Sequence, residues 1–367
     1  MKQNNNHQPI ANHLRVVKID QLIQNGQPNF GVFANVKHIN YLDYHSHLIS
    51  QKALPNWRKA LKANQFCFIQ IIEAPYRVCL ALATIKLATS AFVYLYNDET
   101  SELEVCEALQ PLTRQTLLGG DCYQGQMAFT HDKLTVTLDF TPSQINVVLD
   151  SQNLALNATL ARQSQPLAIC TPTGRRGWTF TQKEPLTAIF GHLLIKDNSK
   201  FNTKALDTQL KEIDFTDTTI ANLDWTLGYM RHKTNWFWTC INSYLPDGRH
   251  FTLNLSMGVN ETGASENACW LDGQIVYLPP VMFIRQDLDA AAQHTWRIYH
   301  QNLGWSKVDI DLTFTPITVY KKTDNFGVLA SIFEQWLGLY SGEIRLADEV
   351  IKLDKVMGLA EDHFAKW

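Results

Sequence analysis

The chain predicts an all-β protein made of antiparallel barrels or sandwiches in two domains. Three observations carry this expectation. Short apolar runs follow one another closely and are punctuated by turn signals, and helical windows are few. Alternation is clear where it can be read: Leu134, Val136, Leu138 and Phe140 interleave with Thr135, Thr137 and Asp139, as on a half-buried strand. The length of 367 residues exceeds one ordinary small domain, and 45% hydrophobic against 18% charged residues is enough for real cores.

Residues 1–28 form a polar, Asn/Gln-rich arm with a short helix expected over Val17–Ile23. NFGVFANV, from Asn29, is a short apolar run. Leu54–Ala63 reads as a short helix, because Leu54, Trp57 and Leu61 recur at spacings of three and four. Strands are expected at Phe66–Glu73, Tyr76–Ala83, Ala91–Tyr96, Glu102–Ala108, Gln126–His131 and Lys133–Phe140. Ile145–Leu149, Leu154–Leu160 and Leu167–Thr171 continue the series. After a loop at Pro172–Gly177 come Trp178–Pro185 and Thr187–Lys196. Residues 198–222 are polar and suggest an inter-domain segment. A boundary near residue 210 then separates a domain at 29–210 from one at 211–367. In the second half, strands are expected around 234–245, 250–258, 267–277, 295–300, 307–315, 326–334, 339–346 and 349–355. No short repeat is present.

Composition narrows the function classes. Net charge is −3 with scattered Lys and Arg, so no basic face for nucleic acid exists in the sequence. Seven cysteines, odd in number and without CxxC, read as small core residues in a reducing compartment, and the expected location is the cytoplasm. The N-terminus lacks an apolar signal region. Val78–Tyr96 is long enough to cross a bilayer, but Lys86 sits at its centre, and its Thr, Ser, β-branched and aromatic residues fit two buried strands better. No transmembrane segment is expected, and peripheral membrane contact stays open. GxSxG, GxxxxGK[ST] and GxGxxG are absent, which counts against the commonest hydrolase, NTPase and dinucleotide-dependent classes. No cofactor is expected. His45-Ser46-His47 is an HxH without a third ligand, so no metal site is assigned.

The stretch from Asp224 to Trp270 concentrates the functional candidates. Asp247-Gly248 between alternating runs signals a hairpin. A two-residue loop sets Tyr244 opposite Phe251, Asn242 opposite Leu253, Cys240 opposite Leu255 and Trp238 opposite Met257. That face is apolar apart from Asn242. The other face joins Phe237, Thr239, Ile241 and Ser243 to Gly258, Ser256, Asn254 and Thr252. Its hydroxyls and amides suit either a cavity lining or a Ser/Thr-rich solvated face. The next loop carries Asn260, Glu261, Glu266 and Asn267 beside Trp270. It is a solvated turn or a source of a general acid at a cavity mouth. Asp224 and His232 can form a base–orienter pair if the fold brings them together; the alternative for His232 is a structural hydrogen bond. The closing Glu361-Asp362-His363 with Trp367 reads as a buried polar network or a surface tail, the docking of a terminal Trp favouring the network.

These stretches carry a resemblance. The segment DWTLGYMRHKTNWFWTCINSYLPDGRHFTLNLSMGVNETGASENACWLDG, the upstream GWTFTQKEPLTAIFGHL and the closing GLAEDHFAKW look like the signatures of a bacterial family catalogued only as a domain of unknown function. The patterns are D-W-T-x-G-Y, N-W-x-W, D-G-R, N-E-x-G-x-x-E-N-x-x-W and E-D-H-x-A-x-W, and the likeness spans nearly the full chain. More distantly, the layout resembles carotenoid 1,2-hydratase and AttH-like proteins, with Trp236-Phe237-Trp238 followed by Asp247-Gly248-Arg249. This implies two tandem lipocalin-like antiparallel β-barrels with few short helices. Hydratase relatives carry an Asp-His/Glu pair just upstream, where this chain has Tyr229-Met230-Arg231-His232, so the fold transfers and the chemistry does not follow.

The leading expectation is binding of an apolar or amphipathic small molecule, such as a lipid or isoprenoid, in a Trp-lined barrel cavity. Its lining candidates are Trp225, Tyr229, Asn235, Trp236, Trp238, Asn242, Asn254, Asn260, Asn267 and Trp270, with Trp178 and Glu184 of the upstream motif. The alternative is a hydratase or isomerase acting without a redox cofactor. In it Glu261 or Glu266 protonates an alkene and His232 or Asp224 handles water. An enzyme then buries one of these acids in an apolar pocket with a raised pKa. A second alternative is carbohydrate binding, which calls for tryptophans on an open groove.

Overall fold

The structure, a computed structural model, describes residues 16–45, 53–85, 88–111, 116–174, 176–201, 210–259, 264–286, 295–302, 304, 306–325, 327 and 329–366. Two curled, almost wholly antiparallel sheets hold nearly all the strands, and a third pairs only Ile23–Gln24 with Gln27–Pro28. The first has fifteen strands. Its main path runs Leu103–Pro111, Ala88–Asn97, Tyr76–Ile85, Asn64–Glu73, Ile220–Gly228, Gly177–Ile195, Leu154–Ala161, Gln144–Ser151, Leu134–Phe140, Gly125–His131 and Thr116–Leu118. The path curls until its ends approach. Gln110 Nε2 donates to Thr130 O at 2.9 Å, and Thr116 Oγ1 donates to Gln110 Oε1 at 2.6 Å. These side-chain bonds bring the two ends of the path together, with no backbone ladder between them among the described residues.

The second sheet has nine strands. They run Gln274–Tyr277, Ala268–Leu271, His250–Met257, Lys233–Tyr244, Val350–Lys366, Ala330–Arg345, Asp309–Asn325, Thr295–Tyr299 and Met282–Gln286. Ile220–Gly228 lies beyond the boundary expected near 210 and is bonded into the first sheet, between Asn64–Glu73 and Gly177–Ile195.

Strand alternation sends successive side chains to opposite faces. On Asn64–Glu73, Cys67, Ile69 and Ile71 enter the core inside the first sheet, while Phe68 faces the second sheet. On Lys233–Tyr244, Phe237 and Ile241 enter the core of the second sheet with Trp296, Leu312 and Phe314. Trp238 and Cys240 of that strand face outward and meet Phe68, Cys79, Phe92 and Tyr94 of the first sheet. Each sheet thus has its own interior, and a third, aromatic-rich layer joins the two. Full burial of each such Phe or Leu is worth roughly 1.5–3 kcal/mol.

Several expectations change in detail. The helix expected over Val17–Ile23 is a strand, Val17–Gln21, paired in parallel with Gly31–His38. An Asn/Gln-rich arm has weak helix propensity, and a neighbouring strand supplies the missing partners. The helix at Asn56–Lys62 forms, but Trp57 and Leu61 point outward and Lys59 is the buried residue, donating to Leu42 O. The strand expected to end at residue 315 runs on to Asn325. A bulge between Pro316 and Thr318 absorbs the missing N–H of the proline. The runs expected at 326–334 and 339–346 are one strand, Ala330–Arg345, and the last strand continues from 350 to 366 rather than ending at 355.

The central hairpin forms one residue out of the expected register. Tyr244 pairs with His250, Asn242 with Thr252, Cys240 with Asn254 and Trp238 with Ser256. The turn is longer than two residues, with Leu245 N donating to Arg249 O at 2.9 Å. A one-residue slip exchanges the faces of one strand relative to the other. The largely apolar face is therefore Phe237, Thr239, Ile241 and Ser243 against Met257, Leu255, Leu253 and Phe251. The mixed face is Trp238, Cys240 and Asn242 against Ser256, Asn254 and Thr252. The mixed face looks toward the first sheet.

Candidate functional site

A cavity of about 130 Å³ lies between the two sheets, against the aromatic layer that joins them. By the same measure a single water needs on the order of 10–15 Å³, so a small organic molecule fits. The walls are largely aromatic: Phe66, Phe68 and Phe92 from the first sheet, Trp236, Trp238, Tyr320 and Phe333 from the second. Set into them are Lys183, Asp224, Glu266, Glu361 and His363.

Strand pairing explains how Lys183 and Asp224 meet. Gly177–Ile195 and Ile220–Gly228 are antiparallel neighbours in which Lys183 is directly opposite Asp224, with Phe68 next across on the following strand. Directly opposed residues share a face. On the inner face of the same strands, Gln182 is opposite Trp225, and Trp225 joins the first core. Lys183 Nζ donates to Asp224 Oδ2 and lies 3.1 Å from Glu266 Oε2. The ammonium also stands 5.8 Å from the centre of the Trp238 ring. All three side chains are more than nine-tenths buried.

Glu266 comes from the loop after the hairpin. Gly258, at φ +102, lets the chain leave the strand, since a Cβ there would stand 2.4 Å from Asn235 O. The return is pinned twice. Asn254 Nδ2 donates to Glu266 O at 2.6 Å while its Oδ1 accepts from Trp238 Nε1 at 2.7 Å. Asn267 Oδ1 accepts from Ser256 N at 2.8 Å, and its Nδ2 donates to Pro279 O at 2.9 Å.

Burial pushes the Asp224 carboxyl up to about 6, and the Glu266 and Glu361 charges push the same way; Lys183 opposes them and is outweighed. For Lys183 burial alone lowers the ammonium, but Asp224 and Glu266 overcome it and the group is raised. The site therefore holds its cation firmly and binds the Asp224 proton more tightly than a carboxylate in water does. Asp224 Oδ1 is buried and receives no hydrogen bond among the described residues.

Glu361 is held differently. Its Oε1 accepts from Trp236 Nε1 at 2.8 Å, and its Oε2 accepts from Gln335 Nε2 at 3.1 Å. Gln335 Oε1 in turn accepts from Tyr94 OH at 2.6 Å, tying the two sheets together. Two residues on, His363 Nδ1 is 3.6 Å from Glu361 Oε1, and its Nε2 is 2.9 Å from Ser331 Oγ. Trp236 and Phe333 clasp the imidazole, at 4.1 and 5.1 Å between ring centres. Exposure rises from buried Glu361 to half-buried Ser331, Lys322, Asp324 and Ser90, which places the mouth on that side. Among the described residues, no group of three or more His, Cys, Asp or Glu has the arrangement to hold a metal.

Of the residues singled out from sequence, Asp224, Trp236, Trp238, Glu266, Glu361 and His363 line the cavity, and Asn254 braces it from behind. Others lie elsewhere because strand parity turns them away. Trp178 and Trp225 are fully buried in the first core, and Tyr229 packs against Trp178 and Tyr44. Glu184 points into the first barrel and accepts from Arg162 and from Gln182 Nε2, the latter at 3.1 Å. Asn242 belongs to a separate network, with His250 Nε2 at 2.6 Å and Thr252 Oγ1 at 3.1 Å from its Oδ1. Trp270 sits at the other contact between the sheets, its Nε1 donating to Gln165 O at 2.7 Å. Asn235 and His232 are exposed and do not line the cavity. Asp362, on the other face from Glu361, pairs with Arg285 at 2.6 Å. Asn260, Glu261 and Trp367 lie outside the described residues, as do Ser46, His47 and Lys86.

Sequence reading missed Lys183, Ser331 and the Gln335–Tyr94 link. For Lys183 a signal existed: a lysine beside Phe180, Gln182 and Glu184 in a strand with few charges. Only the strand pairing says what it faces.

Comparison with solved structures finds fifteen similar chains, among them the following three. A crystal structure of CghA is 12% identical, covering 82% of this chain and 88% of that one, with a TM-score of 0.49. Kievitone hydratase from Nectria haematococca is 12% identical, covering 82% and 88%, with a TM-score of 0.48. An AttH-type protein from Nitrosomonas europaea is 11% identical, covering 82% and 91%, with a TM-score of 0.45. No curated protein sequence matches the chain. The family profile described as a domain of unknown function, DUF2804, matches residues 17–367, and the chain belongs to that family.

Proposed function

We propose that the cavity between the two sheets binds a small apolar or amphipathic molecule, each sheet forming one of the chain's two units. The observation that carries this reading is a wall of seven aromatic side chains around a few fixed polar groups. Apolar lining with sparse, convergent polar atoms is the usual make-up of a small-molecule site. Trp236 and Trp238 stand inside the cavity, while Trp178, Trp225 and Trp270 are buried, an arrangement that favours an enclosed apolar ligand over a sugar on an open groove.

The test is extraction of protein purified from its own host, with binding of the neutral probe N-phenyl-1-naphthylamine measured in parallel. A small molecule in the organic extract, and probe fluorescence lost when Ala81, which lines the cavity, is enlarged in Ala81→Phe, support the reading. An empty extract together with no probe binding rejects it.

Proton-transfer chemistry on that ligand is a second reading, favoured by Asp224. A carboxyl that titrates near 6 inside an apolar cavity is suited to general acid work close to neutral pH. In a hydration, Asp224 gives its proton to one carbon of a double bond and water adds to the other. His363, held by Ser331, takes the proton that the water sheds. In an isomerisation, His363 takes the proton from the neighbouring carbon instead. Solvent then returns a proton to Asp224 and removes one from His363. Incubating the extracted ligand with the protein in D2O tests this. Gain of deuterium or of water, lost in Asp224→Asn, is expected; an unchanged ligand sinks the idea.

A further inference from the structure

Among the described residues the cavity is lined by more acids than bases. Lys183, Lys322 and the imidazole of His363 stand against Asp224, Glu266, Asp324 and Glu361. Lys322 is already shared at the mouth, 3.8 Å from both Asp324 and Glu107. Deeper in, Lys183 serves both Asp224 and Glu266, and Glu361 is held by the neutral donors of Trp236 and Gln335, with His363 Nδ1 3.6 Å away. Buried charges without a counter-charge are costly, and they either take up a proton or find an opposite charge.

Two further features point to the sign of that partner. Asp224 lines the cavity, and its buried Oδ1 receives no hydrogen bond among the described residues, so the carboxylate has acceptor capacity left over. The aromatic wall offers ring faces, whose negative quadrupole attracts cations. Lys183 near the Trp238 ring is a resident example. An anionic ligand would gain Lys183 but face the carboxylates. A neutral one would leave the excess negative charge as it is.

We propose that the ligand of this cavity is a hydrophobic cation, an amine or ammonium on an apolar body, whose N–H donates to the Asp224 carboxylate while its charge rests among the aromatic faces. This rests on the reading of the cavity as a small-molecule site and names the class of its ligand.

The test compares octylammonium, 1-octanol and octanoate as competitors of N-phenyl-1-naphthylamine at pH 7.5. The expected order is octylammonium tightest, by about tenfold or more over octanol, with octanoate weakest; tenfold corresponds to about 1.4 kcal/mol. Asp224→Asn, which keeps the side-chain volume, should shrink the ratio of octylammonium to octanol affinity about tenfold. Should that variant fold poorly by circular dichroism, Trp236→Leu replaces it and should lower the same ratio several-fold. Octanol or octanoate binding as tightly as octylammonium overturns the cation while the cavity reading stands. If neither the probe nor any octyl compound binds, both readings fall. An unchanged ratio in the variants overturns the roles of Asp224 and the aromatic wall.

Discussion

Replacing Lys183 with Met keeps the length of the side chain and removes its charge. Its ammonium is paired with both Asp224 and Glu266, and all three side chains are less than one-tenth exposed. Breaking a buried pair from one side leaves an uncompensated charge and costs about 3–5 kcal/mol. The two carboxylates left behind can escape that cost only by taking up protons. About 4 kcal/mol equals a carboxyl pKa raised by about 3 units, at 1.36 kcal/mol per unit. The sign follows. A carboxyl raised in the folded state favours folding at low pH, and that advantage is lost as pH rises through its folded value. The variant should therefore be about 3–5 kcal/mol less stable than the parent at pH 8 and recover much of the difference at pH 5. Urea unfolding followed by tryptophan fluorescence at the two pH values measures it. A loss below about 1 kcal/mol at pH 8, or an equal loss at both pH values, would refute the buried triple as the electrostatic centre of the cavity.

Other outcomes follow from the same geometry. Arg162→Met strips Glu184 of its cation inside the first barrel, so a loss of about 3–5 kcal/mol is expected with N-phenyl-1-naphthylamine affinity unchanged. A changed affinity would mean the two buried networks are coupled. Tyr94→Phe leaves Gln335 Oε1 without the O–H that crosses between the sheets and should cost about 1–3 kcal/mol in urea unfolding. Leu312→Ala should cost about 2–5 kcal/mol, since Leu312 is fully buried in the second core. Octylammonium affinity should rise between pH 5 and 7, because a bound cation favours ionised Asp224. The groups facing that carboxyl are Lys183, Glu266, Glu361, Cys67 and Cys240, and its titration near 6 sets the window. A flat calorimetric pH profile over that range would place the bound charge elsewhere.

The candidate site is partly legible in the amino-acid sequence. Asp224, Trp236, Trp238, Glu266, Glu361 and His363 stand out because acids, amides and tryptophans are dense in two stretches far apart in the chain. Trp178, Trp225 and Glu184 stand out for the same reason and yet face other interiors. Density of residue types cannot separate these cases, because a strand shows alternate residues to opposite faces. Glu184 is the acid to choose in its motif, but its neighbour Lys183 reaches the cavity.

Sequence alone determined the all-β class, the likeness to a family and the hairpin around Asp247-Gly248. Each of these rests on local signals: alternation, turn chemistry and a run of motif residues. The tertiary structure decided the register of that hairpin, which came out one residue from expectation and put Asn254 and Ser256 on the face of Trp238. It also decided that Lys183 lies opposite Asp224, and that Glu361 reaches the same cavity from the other sheet. Register and sheet-to-sheet packing are set by side chains meeting across long sequence separations, with no local signal of their own. The chemistry of the cavity depends on those long-range choices, and its residue types are all that the linear sequence displays.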